Sequence, residues 1–341
     1  MQSWQTDLLN LYLRTSVKPL LRRARSLKNA RAVVRVVDQT LGRLSIPRHT
    51  RIESAQASSV NCRCDWIDPP LVGQGSDRAR DHSRVILYLP GGAYIVRTPN
   101  AHSAMISRLC SQADARALVC YYRLAPENPF PACLEDSVAA YEWLLKQGYR
   151  PEQIVVAGDS AGGGLALSTL LALRDAKRPL PACAVMMSPL LDSGEMAPSR
   201  AKNARSDAVL PPAAGRGINP RPMFLGGHDP KNPLVSPIYG EYQGLPPMYV
   251  MVSDSEMLMD DSLRLARRAQ LYKVEVRVDI WRKAPHVWPA MPFLPESRDS
   301  LERAGRFIVR HVAMPVATHQ PKSRGRRKPA VPAPAAAGRT S

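Results

Sequence analysis

Between Arg84 and Trp281, short runs of β-branched and aliphatic residues alternate with longer segments whose apolar positions recur at helical spacing. Strands are expected at Val85–Leu89, Ala117–Tyr121, Ile154–Ala157, Cys183–Met187, Met248–Val252 and Val274–Trp281. Helices are expected over 101–113, 132–147, 161–175, 260–271 and 297–312. Strands joined through helices of this length run parallel, and a parallel sheet must be covered on both faces. The predicted fold class is α/β, with a mostly parallel central sheet between two helical layers.

Three segments depart from that pattern. Leu8, Tyr12, Leu13, Leu20 and Leu21, and then Val33, Val37, Leu41 and Leu44, lie near helical spacing with Arg and Lys between them. Two amphipathic helices follow, interrupted near Pro19, whose apolar stripes either pack on the main body or lie against a membrane surface. Residues 191–223, rich in Pro, Gly, Ala and Arg with weak periodicity, read as an insertion or lid. From Met314 the chain is Pro, Ala, Lys and Arg, too poor in apolar surface to offset the entropy of ordering it. Residues 314–341 are expected to be a disordered tail.

Length and charge refine this picture. A chain of 341 residues with 45% apolar content is within reach of a single large α/β domain with an attached cap. The net charge of +18 is uneven: residues 1–51 carry +9, residues 314–341 carry +6, and the body between them only +3. The basic ends suit weak contact with polyanions, but no zinc-finger spacing or RNA-binding aromatic signature accompanies them. The six cysteines form neither a disulfide framework nor a recognisable metal-ligand spacing, so no metal or cofactor is expected. No apolar run reaches membrane-spanning length, and Leu8 to Leu13 is too short for a signal-peptide core. A cytoplasmic protein is expected, although the Arg-rich, acid-poor start also resembles a transit peptide; a homodimer is compatible with the sequence.

The chemistry concentrates at the ends of the predicted strands. Ile154 to Ala157 runs into Gly158-Asp159-Ser160-Ala161-Gly162-Gly163 and then an apolar helix, a G-x-S-x-G pattern in strand, turn, helix context. The glycines let the chain reverse sharply, leaving Ser160 exposed at a helix N-terminus where developing negative charge is favoured. A serine nucleophile needs a base, and His286, on the loop after the last strand, is the best placed of the seven histidines. The loop after Met248–Val252 offers Asp254, Glu256, Asp260 and Asp261 as the acid that orients it, the last two better suited to a helix start. Pro90-Gly91-Gly92-Ala93 follows the first core strand, and the amides of Gly91, Gly92 and Ala161 are the candidate oxyanion donors.

These blocks resemble the hormone-sensitive-lipase-like esterases of the α/β-hydrolase fold. The resemblance spans residues 83–312 and rests on Tyr88 to Tyr94, on Tyr122-Arg123-Leu124-Ala125-Pro126-Glu127, on Gly158 to Gly163 and on Asn232 to Pro237. It implies a hydrolase domain, here 51–313, under a helical cap whose two places residues 1–50 and 191–223 fit, and a Ser-His-acid triad hydrolysing small uncharged esters. It also places the acid thirty residues before the histidine, which ranks Glu256 first and Asp254 second. Two residues depart from the family pattern: Pro90 stands where a histidine is usual, and Tyr121 where an aspartate commonly precedes Y-R-L-A-P-E. An amidase or deacetylase with the same groups, or a non-catalytic binding protein on this fold, remain the alternatives. Tyr94, Trp288 and Phe293 are the candidate aromatic pocket residues.

Overall fold

The computed structural model describes residues 2–70, 84–194, 196–212 and 218–312. The tail expected at 314–341 lies outside them, as do residues 195 and 213–217 of the expected insertion.

Eight strands form one sheet: β1 (Arg51–Ser54), β2 (Cys64–Asp68), β3 (Val85–Leu89), β4 (Arg116–Cys120), β5 (Ile154–Asp159), β6 (Cys183–Met187), β7 (Met248–Ser253) and β8 (Val276–Trp281). Their order is β1-β2-β4-β3-β5-β6-β7-β8. From β4 to β8 all pairings are parallel, while β1 and β2 add an antiparallel edge. Strands β3, β5, β6 and β7 are buried throughout, which explains their continuous apolar sequence.

Alternate residues feed two cores. Val85, Leu87 and Leu89 face a cluster that includes helices Ala132–Lys146 and Ser160–Asp175, whereas Ile86 and Tyr88 face helices Pro99–Ala113 and Pro295–His311. All six expected strands and all five expected helices are present, with ends shifted by a few residues. The two edge strands were not anticipated. β1 is a four-residue, fully exposed strand, and β2 carries aspartates, so neither has the apolar run that marks a buried strand.

The N-terminal segment differs from expectation. Pro19 does not interrupt it: the proline sits in the first turn of helix Lys18–Arg23, after a π-turn at Leu13–Val17, where a missing N–H costs little. The break falls at Ala24, whose ψ of 113° is extended, before helix Leu27–Val37. Nor do the apolar stripes simply pack inward, since Leu8, Tyr12, Leu20, Val33 and Val37 are exposed.

Polar latches hold this segment in place. Lys18 Nζ donates to the carbonyls of Asp207 (2.5 Å) and Ala204 (2.8 Å), and Arg31 donates to Ile95 O, Ala125 O and the Glu127 carboxylate. No described helix is long and apolar enough to cross a membrane.

Candidate active site

In the order β4-β3-β5 the chain leaves β3 to one side and later returns to the other, so the loops after β3 and β5 open a crevice at the strands' carboxyl ends. Ser160 occupies that crevice. Its φ of +51° is strained for a residue with a side chain. Close glycine packing forces the turn. A Cβ on Gly162 would lie 1.9 Å from the Leu89 carbonyl, and one on Gly158 would lie 2.4 Å from the carbonyl of Gly162.

Three residues remote in sequence meet there. His286 Nε2 lies 2.9 Å from Ser160 Oγ, and His286 Nδ1 lies 3.3 Å from Glu256 Oε2. Both His286 and Glu256 are buried. Asp254 does not join them: its side chain accepts from the Lys283 amide at 2.6 Å, and the residue is exposed. Asp260 and Asp261 open helix Met259–Leu271, as expected of first-turn acids. Burial opposes the imidazolium, yet the hydrogen bond and charge of Glu256 hold His286 above its ordinary pKa of 6.5. Burial raises the Glu256 carboxyl, against the pull of His286 and the Ser188 hydroxyl.

Residues absent from the sequence reading fix the acid. Ser188, at φ +48° just after β6, donates to Glu256 Oε1 at 2.7 Å and accepts from the Val287 amide. Asp207 accepts from the Met257 amide, and Asn203 donates to the Glu256 carbonyl. Short polar residues in irregular loops carry no periodic signal, so only the folded chain identifies these contacts.

The oxyanion loop corrects one expectation. The Gly91 amide donates to Asp159 Oδ1 at 3.0 Å, so it does not face the crevice as a donor. Gly92 and Ala93, at φ +128° and +52°, follow it, and no acceptor among the described residues takes their amides. The amide of Ala161, in the first turn of its helix, likewise lacks an intrahelical acceptor. Among the described residues, Gly92, Ala93 and Ala161 are thus the amides of this region left without an acceptor.

The loop keeps its shape despite Pro90. Tyr122 donates to the Pro90 carbonyl at 2.6 Å, and Asp159 also accepts from Tyr88 (2.9 Å) and faces His102 Nε2 (3.1 Å). Burial opposes both charges of the Asp159–His102 pair. Their mutual attraction and hydrogen bonds nevertheless lower the Asp159 pKa and raise that of His102. Asp159→Ala would leave the Gly91 amide and the Tyr88 hydroxyl without their acceptor and His102 without its counter-charge. A loss of about 2–5 kcal/mol in a denaturant titration is expected, with kcat lowered more than KM is raised.

A cavity of about 300 Å³ opens on Ser160. The N-terminal segment contributes Leu21, Leu27 and Val34 to its wall, the 191–223 segment contributes Leu210, and Phe224 follows just after that segment. Tyr94 lines it as expected and stacks on Phe224 with 3.8 Å between ring centroids. The other two aromatic candidates do not. Trp288 is fully buried beside Trp281, and Phe293 faces solvent. Among the described residues, Cys62, Cys64 and Cys120 bring three sulfurs within 4.8 Å of one another. They supply fewer ligands than a structural zinc requires, and none lines the cavity.

Residues 86–290 match the family described as alpha/beta hydrolase fold. An acetyl-hydrolase of Streptomyces hygroscopicus is 41% identical over 249 residues, covering 73% of this chain and 80% of that protein. Esterase LipU of Mycobacterium tuberculosis is 32% identical over 303 residues, covering 86% and 98%. A crystal structure of an esterase from the bacterial hormone-sensitive lipase family superposes with a TM-score of 0.80 at 35% identity, covering 92% of this chain and all of that one. The chain thus belongs to the α/β-hydrolase family, in its hormone-sensitive-lipase-like group of carboxylesterases.

Proposed function

We propose that this carboxylic-ester hydrolase acts on short to medium acyl esters through an acyl-enzyme on Ser160. The observation that carries the reading is the continuous contact from Ser160 Oγ through the His286 ring to Glu256, at 2.9 and 3.3 Å, with Ser160 on the wall of an apolar cavity. Ser160 attacks the ester carbonyl while His286 Nε2 takes its proton. Glu256 accepts the Nδ1 proton and stabilises the imidazolium. The amides of Gly92, Ala93 and Ala161 meet the oxyanion. Collapse of the tetrahedral intermediate breaks the bond to the alcohol oxygen, which leaves with the proton from His286. Water then repeats the sequence on the acyl-serine and releases the acid.

The apolar wall favours uncharged acyl chains, and its limited volume favours chains that fit inside it. The acetyl-hydrolase name of the Streptomyces relative agrees with the short end of that range. With p-nitrophenyl esters, kcat/KM should rise from acetate to hexanoate by up to about fourfold per buried methylene, then fall by decanoate. The anilide of the best acyl group should be cut far more slowly than its ester, because the amide carbonyl is less electrophilic and its nitrogen leaves only once protonated. A fluorophosphonate probe should label Ser160 stoichiometrically; ester turnover by a chain the probe cannot label would overturn the acyl-enzyme reading.

A further inference from the structure

Helix Trp4–Tyr12 is inside out for a soluble protein. Its inner side is polar: Thr6 and Asn10 are buried, Asn10 Nδ2 donates to the Lys283 carbonyl at 2.7 Å, and Ser3 donates to Glu296 through its amide and hydroxyl. Its outer side is apolar. Trp4, Leu8, Leu11 and Tyr12, spaced i, i+4, i+7 and i+8 on one face, are 59–71% exposed. Leu20, Leu21, Val33, Val36, Val37 and Leu44 continue the pattern, so ten of the sixteen exposed large apolar residues among those described fall within the first 44 positions. Scattered surface leucines are ordinary, but this concentration is not.

Charge identifies what covers it. Arg22, Arg23, Arg25, Lys28, Arg35, Arg43 and Arg48 are exposed, and none makes a side-chain hydrogen bond or ion pair among the described residues. The acids of the segment do not balance them. Asp38 is buried and caps helix Pro99–Ala113 through the amides of Asn100 and Ala101, while Asp7 accepts from Gln2. A second copy packed symmetrically on this surface would set cations against cations. A surface of anionic lipid satisfies both features: exposed Trp, Tyr and Leu enter the headgroup boundary while Arg and Lys meet phosphates. The cavity that opens on Ser160 is walled by this same segment, through Leu21, Leu27, Ala30 and Val34.

We propose that the N-terminal segment docks the protein onto anionic lipid surfaces, with Trp4, Leu8, Leu11 and Tyr12 as apolar anchors and the unpaired Arg and Lys side chains as the electrostatic contact. Docking does not depend on hydrolysis, so it is measured with the full chain carrying Ser160→Ala, which leaves the lipid intact. Co-sedimentation compares phosphatidylcholine vesicles with vesicles containing about one third phosphatidylglycerol. Binding to the anionic vesicles, weak binding to the neutral ones and release by high salt are expected.

At about fivefold per basic residue, the triple reversal Arg25→Glu, Lys28→Glu, Arg35→Glu should lower the partition coefficient at least a hundredfold. Leu8→Ser with Leu11→Ser should lower it roughly tenfold or more, since two buried aliphatic side chains are lost. These residues are exposed and lie outside the cavity wall, so hydrolysis of soluble esters by the same variants in the Ser160 background should persist and report correct folding. Absence of binding, equal binding to both vesicles, or binding indifferent to these substitutions would overturn the proposal. So would a dimer in sedimentation velocity that Leu8→Ser with Leu11→Ser dissolves, because a second copy would then be the cover.

Discussion

Ser160→Ala is expected to lower kcat for p-nitrophenyl butyrate by about 10⁴-fold or more, leaving only what the oxyanion amides and binding supply. The size follows from the site's construction. Among the described residues Ser160 Oγ bonds one base, His286 Nε2 at 2.9 Å, and the turn that presents it tolerates no displacement because Gly158 and Gly162 are packed against backbone carbonyls. Alanine keeps the turn and removes only the attacking oxygen. His286→Ala should cost a similar factor, and the double variant should be no worse than either, since the two groups act as one unit. Burst kinetics with stopped-flow detection of nitrophenolate provide the check: an initial burst in the parent chain and none in either variant. Full turnover by Ser160→Ala would place the reaction on another nucleophile.

The parts legible in the sequence were those whose physics leaves a repeating mark. Strands β3 to β7 announced themselves because burial on both faces demands unbroken apolar runs, and Ser160 because a strand-to-helix reversal demands glycines on either side. The order serine, acid, histidine is readable from the loops that follow successive strands, but among the four acids of the middle loop only the family resemblance ranks Glu256 first. Which amides line the crevice was not. Gly91 and Gly92 are identical in composition, and only the carboxylate of Asp159, arriving from β5, determines that the first amide turns away. The same holds for Ser188 and Asp207, whose roles come from contacts across 68 and 50 positions of chain. In sequence, Pro90 is a departure from the family pattern. In the fold, Tyr122 and Asp159 hold the loop from two sides, so no histidine is needed at that position. The N-terminal stripes were misleading for a related reason: periodicity identifies an apolar face without saying whether it points inward.

Glu256→Gln should lower the plateau of kcat/KM by about 10³–10⁴-fold, whereas Asp254→Asn should stay within about threefold of the parent. The asymmetry comes from orientation. Ser188 donates to Glu256 Oε1, so a glutamine there keeps its carbonyl oxygen toward Ser188 and turns its NH₂ toward His286. Facing a donor, Nδ1 must give up its proton, the ring keeps its hydrogen on Nε2, and the nitrogen 2.9 Å from Ser160 is no longer a base. Asp254 instead accepts a single loop amide, from Lys283, and its exposed carboxylate is readily replaced by an amide. The pH profile moves in a definite direction. In the parent chain the acid limb of kcat/KM should titrate above 6.5, because Glu256 outweighs burial in holding the proton on His286. Without the carboxylate, burial disfavours the charged imidazole against only the charges of Asp207 and Asp159, so the acid limb of Glu256→Gln should fall to lower pH even as the plateau drops. A variant whose acid limb stays where the parent's was, with activity near the parent level, would mean that another group orients His286.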